Sequence, residues 1–339
     1  MILSAALAGG CSDESHGGPA LGGAGATTTA STATSGGGGG DTGGAETGGS
    51  GTGGADVVSE MHLVLQQKKS ALPLSNYGVQ NGGFVINGGW LKAGIDTVQD
   101  ESIFYDATAL DIEEGLRSFF TSHPELGDTD TTEIVILDIE SPVHPRTIHQ
   151  LLDTDQAKFD ATVAGYILRA AVARTVLPQA ELGVYFTFTG PLSGTADDAY
   201  WADQREAWRI IAERGLFDHL DLLVPVFYLR YGPTDTRYDR YGDHIRLGVD
   251  DGRTYRRTDG TALPLFPLGS FRVYNGGSNH SGELALDFDP TLDDTCGLYA
   301  AIMADKQVAR FGYWDGGDEL GPPNPNGWTK LDYFQLLTP

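Results

Sequence analysis

From Glu60 onward, short apolar runs alternate with helix-length stretches, and this alternation constrains the fold more than any other feature. The runs are "EMHLVLQQKK" (60–69), "GGFVINGGW" (82–90), "ESIFYDA" (101–107), "EIVILDIE" (133–140), "ELGVYFTFTG" (181–190), "LDLLVPVFYLRYG" (220–232), "ALPLFPLGSF" (262–271) and "ARFGYWDGG" (309–317). Most are apolar nearly throughout, the pattern of parallel strands covered on both faces. Helical patterns lie between them at 110–123, 155–177, 197–217 and 295–308. Strand-helix alternation at this spacing argues for βαβ units around a parallel sheet. The stretch from Val57 to Pro339 is about 280 residues, near the size of one (β/α)8 barrel. The expected fold is therefore a (β/α)8 TIM barrel, irregular in its first quarter, with a doubly wound open sheet as the alternative.

The chain ahead of it reads differently. Residues 12–56 are Gly/Ser/Thr-rich and almost free of large apolar side chains. Such a stretch cannot offset the entropy of ordering, and is expected to be a disordered linker. It lacks the Lys-Ser/Thr ending of a phosphate-binding loop. Residues 1–11, "MILSAALAGGC", are a short apolar run ending in small residues before Cys11. That run resembles the lipobox of bacterial lipoproteins, which implies lipid attachment at Cys11 and a lipid anchor at the cell surface or the periplasmic face of the bacterial envelope, with a secreted protein as the alternative. No Lys or Arg precedes the run, which points to a start upstream of Met1. No later apolar run approaches the roughly 20 residues of a spanning helix, so the expected membrane contact is through that lipid alone.

The formal net charge of -24 argues against a nucleic-acid partner, which needs a basic face. No H-E-x-x-H motif and no Cys/His cluster is present, so neither a zinc site nor any cofactor is expected. There is no G-x-S-x-G elbow.

The informative anomaly is "EIVILDIESP" (133–142), an apolar strand that ends in Asp138 and Glu140. Residues two apart share a strand face, so both carboxylates follow Ile136, while Leu137 and Ile139 face the other way. Active sites sit at the C-terminal ends of barrel strands. Two carboxylates there repel, and burial disfavours their charge, so a raised pKa and a general-acid role are expected. The alternatives are a structural Asp with an exposed Glu, or a metal-binding pair. Trp90, Tyr185, Tyr228, Tyr231, Trp314 and Asp315 lie in or just after strands, and Asn275 follows the seventh. These are the candidate substrate contacts, aromatic faces for sugar rings and polar groups for hydroxyls.

Three segments together resemble the hyaluronidase-like and chitinase-like glycoside hydrolases, barrels with an acidic D-x-E ending strand four. They are "ILDIESP", "VPVFYL" and "FGYWDGG". The resemblance implies Glu140 as proton donor and Asp138 as the group orienting a substrate 2-acetamido group. It also implies that Tyr228 would steady an oxazolinium-like intermediate, and that Trp314 would belong to the site. The bulky aromatic that follows the Asp in hyaluronidases is Ile139 here, and the disulfides of the animal enzymes cannot form. A non-acetamido glycan handled by an acid and a nucleophile stays open. The expectation is a monomeric, polysaccharide-cleaving glycosidase. Its rivals are a non-catalytic glycan-binding lipoprotein, and a structural barrel with Asp138 and Glu140 paired to arginines.

Overall fold

A computed structural model describes residues 60–67, 69–93, 101–140, 142–185, 198–228, 241–270, 302–303 and 305–315. The expected lipobox and linker, with Cys11, lie outside the described residues, as do Tyr231 and Asn275.

Among the described residues, eight parallel strands form one sheet: β1 Glu60–Gln66, β2 Val79–Ile86, β3 Ile134–Leu137, β4 Glu181–Tyr185, β5 Leu222–Val224, β6 Val226–Phe227, β7 Leu268–Ser270 and β8 Arg310–Asp315. Their order is β5-β4-β3-β2-β1-β8-β7-β6, so each strand follows its neighbour around the ring. This is the (β/α)8 architecture. Helices between the strands are α1 Ser102–Tyr105, α2 Ala109–Ser122, α3 Gln150–Thr154, α4 Gln156–Val176, α5 Asp198–Glu213 and α6 Tyr241–Gly252.

The ring closes at Pro225. Leu222, Val224, Val226 and Tyr228 all belong to one inner cluster, so side-chain alternation runs unbroken from β5 into β6. Only the hydrogen-bond ladder is interrupted, because proline has no N–H to give. Its carbonyl is still used, accepting from the Leu268 N–H at 2.8 Å. The β5 segment pairs with β4 and the β6 segment with β7, which brings the two ends of the sheet together there.

Parity explains why the strands read as continuous apolar runs. Met61, Leu63 and Leu65 of β1, with Val135 and Leu137 of β3, join the larger core beneath the helices. Val64, Val85, Ile134, Ile136, Phe266 and Leu268 belong to the second cluster, inside the barrel. The interior is thus plugged by branched and aromatic side chains, as in a packed barrel. One irregularity fixes the β2 register. Leu63 pairs with Asn81 but Leu65 with Phe84, so β2 carries an extra residue at this bulge. Gly83 supplies it at φ +83°, and a Cβ there would lie 1.9 Å from the Ile134 carbonyl oxygen.

The helices start where local chemistry caps them. Thr108 and Asp111 form a reciprocal capping box at α2, and Asp155 accepts from the Lys158 N–H at 2.9 Å at α4. The segment 101–107, expected to be a strand, is instead the short helix α1. Its apolar run is only three residues long, and Ile103 is exposed while Phe104 is buried. Packing on α4 decides the outcome: the Arg169 guanidinium lies 3.9 Å from the Phe104 ring centre, and Tyr166 meets that ring edge-on. "EIVILDIE" is therefore the third strand of the ring, not the fourth.

Candidate active site

Asp138 and Glu140 continue the inward parity of Ile134 and Ile136, and Ile139 between them is buried in the outer core. Asp138 extends the ladder by one step, its N–H donating to the Ile86 carbonyl at 2.8 Å. One position past the Leu137–Val184 pair, it stands level with Tyr185 at the end of β4. Both carboxylates therefore sit at the C-terminal end of the barrel wall.

Three aromatic residues face the same end. Tyr185 closes β4, Tyr228 follows β6, and Trp314 lies near the end of β8; all three are buried members of the inner cluster. The Tyr185 hydroxyl donates to the Tyr228 hydroxyl. Tyr228 in turn stacks on Trp314, with ring centres 5.2 Å apart and planes 28° from parallel. Burial pushes the Tyr185 phenol well above its ordinary range, and Tyr228, Glu140 and Asp138 add to the rise. The phenol is neutral. The sequence-derived group of Asp138, Glu140, Tyr185, Tyr228 and Trp314 thus comes together from four strands at one end of the ring.

Two other candidates stand differently. Trp90 packs in the outer layer, with the Phe119 ring of α2 at 5.5 Å and the ring of His123, which follows α2, at 5.9 Å. Its place after β2 matched the others in sequence, but the chain turns it onto a helix. Asp315 ends β8 in register with Leu65, one residue after the inward-facing Trp314.

The site also holds residues that the sequence reading missed. The His144 Nε2 lies 3.4 Å from the Glu140 Oε1. The Val143 carbonyl accepts from the buried Tyr166 hydroxyl of α4, and the Arg146 carbonyl accepts from Gln204 of α5 at 3.1 Å. These bonds pin the segment after β3 to two helices. The available signal was a histidine four residues after the glutamate, in a loop bounded by prolines, and it is weak without coordinates.

Among the described residues no group of three or more His, Cys, Asp or Glu side chains is arranged to hold a metal ion. A cavity of about 740 Å³ between α5 and the segment after α6 shares no residue with this end of the barrel. Its arginines are already engaged: Arg205 pairs with Asp251, Arg209 with Glu206 and Glu213, and Arg256 and Arg257 with backbone carbonyls.

No protein-family model matches the chain, and no curated protein does. Solved structures that overlay on it include bee venom hyaluronidase, at 13% identity over 76% of this chain and 79% of that one, TM-score 0.45. An endo-beta-1,4-mannanase double mutant from Cellulomonas fimi overlays at 12% identity over 82% and 69%, TM-score 0.40. D-psicose 3-epimerase from Clostridium cellulolyticum H10 overlays at 10% identity over 82% and 95%, TM-score 0.37. Glycoside hydrolases are thus among these neighbours, together with an epimerase.

Proposed function

We propose that this chain is a glycoside hydrolase that cleaves a polysaccharide, with Glu140 as general acid and Asp138 as its partner. One observation carries the reading. Two carboxylates two residues apart continue the inward face of an otherwise apolar strand, toward Tyr185, Tyr228 and Trp314. A purely structural barrel has no use for that arrangement, because each carboxylate brought inward loses solvation.

In the reaction the Glu140 carboxyl gives its proton to the glycosidic oxygen as the bond from that oxygen to the anomeric carbon breaks. Where the sugar carries a 2-acetamido group, Asp138 orients it and the amide oxygen closes on the anomeric carbon, forming an oxazolinium ion. Glu140, now a carboxylate, takes a proton from the water that opens that ion, and so regains its acid form. The resemblance in "ILDIESP" and "VPVFYL" supports this route and a role for Tyr228 beside the intermediate. Stacked aromatic faces such as Tyr228 and Trp314 suit a sugar ring. Lipid attachment at Cys11, with residues 12–56 as a tether, would present the barrel at the surface of a bacterial envelope.

The test is reducing-sugar release by the full chain from a panel of hyaluronan, chitin and acidic and neutral glycans, beside its Glu140→Gln variant. Release by the parent that falls at least about a hundred-fold in the variant is the expected result. Equal glycan binding by both proteins with no release by either replaces the enzyme with a glycan-binding protein.

A further inference from the structure

Glu140 has a neighbour whose neutral tautomer the geometry selects. The Arg146 backbone N–H donates to the His144 Nδ1 at 3.0 Å. A nitrogen that accepts this bond carries no proton, so the neutral imidazole must carry its proton on Nε2. Nε2 is the atom 3.4 Å from the Glu140 Oε1.

We infer that His144 is a positioning residue for Glu140: its Nε2–H holds the Oε1 oxygen, leaving Oε2 as the oxygen that delivers and recovers the proton. This rests on the glycosidase reading and assigns it a further part. A glutamate side chain has three rotatable bonds, and a general acid works only when its proton lies within reach of the leaving oxygen. A donor fixed on one carboxyl oxygen removes the rotation that would exchange the two.

The backbone that carries the ring is itself held in place, which is what makes the donor useful. The His144 carbonyl accepts from the Thr147 N–H at 2.8 Å and from the Thr147 hydroxyl at 3.1 Å. Tyr166 holds the carbonyl on one side of it, and Gln204 holds that of Arg146, whose N–H orients the ring. A 3.4 Å separation is long for a hydrogen bond, and bonds of this kind tighten when substrate fills the site. A histidine serving only to shape the loop would need the Arg146 contact and no more. The second nitrogen, turned to the one acid the proposed mechanism needs, is the additional fact.

The two nitrogens can be mimicked separately. An asparagine side chain reaches where Nδ1 is, and a glutamine where Nε2 is. His144→Gln should keep kcat within a few-fold of the parent. His144→Asn should lower kcat by about ten- to a hundred-fold, the effect of one hydrogen bond to a charged group, with KM nearly unchanged. Nitrogen-15 NMR of the full chain without substrate should show the Nε2–H tautomer for His144, whatever the activity. Equal losses in both variants, a larger loss in the Gln variant, or the Nδ1–H tautomer would each overturn the assignment. If the parent cleaves no glycan, the glycosidase reading fails and the catalytic role of His144 goes with it. If the parent is active and the Asn variant matches it, the His144 assignment alone fails.

Discussion

Gly83→Ala is the substitution that best tests how the β2 bulge sets the position of β3, and with it the carboxylates. Two penalties act at this residue and can be separated. The first is conformational. At φ +83° an L side chain is strained, by about 1–2 kcal/mol. The second is steric. The new methyl would lie 1.9 Å from the Ile134 carbonyl oxygen and 2.7 Å from its carbonyl carbon, and backbone cannot rotate away as a side chain can. Relief requires β3 to move by more than 1 Å, about the distance back to ordinary contact, which strains the Phe84–Val135 and Val85–Ile136 pairs. Overpacking of this kind costs about 1–3 kcal/mol, so the sum is about 2–5 kcal/mol. Gly260 provides the control: its φ is +84°, and nothing lies within 4 Å of its Cβ position. Gly260→Ala should therefore show the first penalty alone. Urea unfolding followed by circular dichroism measures both, with the difference read from the midpoints at equal slope. Equal destabilisation of the two variants would refute the claim that Gly83 is needed for the close approach of β2 and β3.

Further predictions concern protonation and the aromatic wall. Burial holds the His62 imidazole below its ordinary value of 6.5, against the pull of Glu60 and Glu181 and helped by Arg310; burial lowers His149 likewise. The unfolded chain therefore binds protons first on acidification, so these residues' contribution to stability is present above about pH 6.5 and is lost as pH falls from there toward the folded values. The acid-side slope of stability against pH should shrink in His62→Leu, measured by urea midpoints from pH 7.5 to 5; an unchanged slope would contradict the assignment. Tyr228→Phe removes the acceptor of the Tyr185 hydroxyl while keeping the ring on Trp314. It should destabilise by about 1–3 kcal/mol and lower kcat, read by thermal unfolding and by sugar release. Arg169→Met strands the Lys92 and Phe104 carbonyls, to which Arg169 now donates at 2.5 and 3.0 Å. A loss of about 2–5 kcal/mol is expected; a variant as stable as the parent would show that solvent takes over those carbonyls.

The barrel was legible in the sequence because parallel strands are buried on both faces and betray themselves as apolar runs. The direction of Asp138 and Glu140 was legible for the same reason: period-two alternation carries from Ile134 and Ile136 to the carboxylates without a break. What failed were features set by packing at a distance. "SIFY" has strand-like composition, but Phe104 finds its partners on α4. α6 went unread because "YGDHIRLGVDDG" is broken by glycine and aspartate; Gly248 is required where the helix meets Phe227, whose ring would lie 2.4 Å from an added Cβ. Trp90 sat in the right place along its run, yet the turn after β2 sends it to α2. His144 acts through a loop whose shape depends on Tyr166 and Gln204, and no periodicity carries that information.

The most direct test of the central claim uses the leaving group. A general acid matters only when the departing oxygen needs a proton, and a dinitrophenolate does not. Once the sugar released from the panel is known, the parent and Glu140→Gln should be compared on the polysaccharide and on the dinitrophenyl glycoside of that sugar, under conditions that isolate bond cleavage. The account predicts a loss of at least about a hundred-fold on the polysaccharide and of only a few-fold on the aryl glycoside. An equal loss on both substrates would contradict it, because Glu140 would then be serving some need other than protonation.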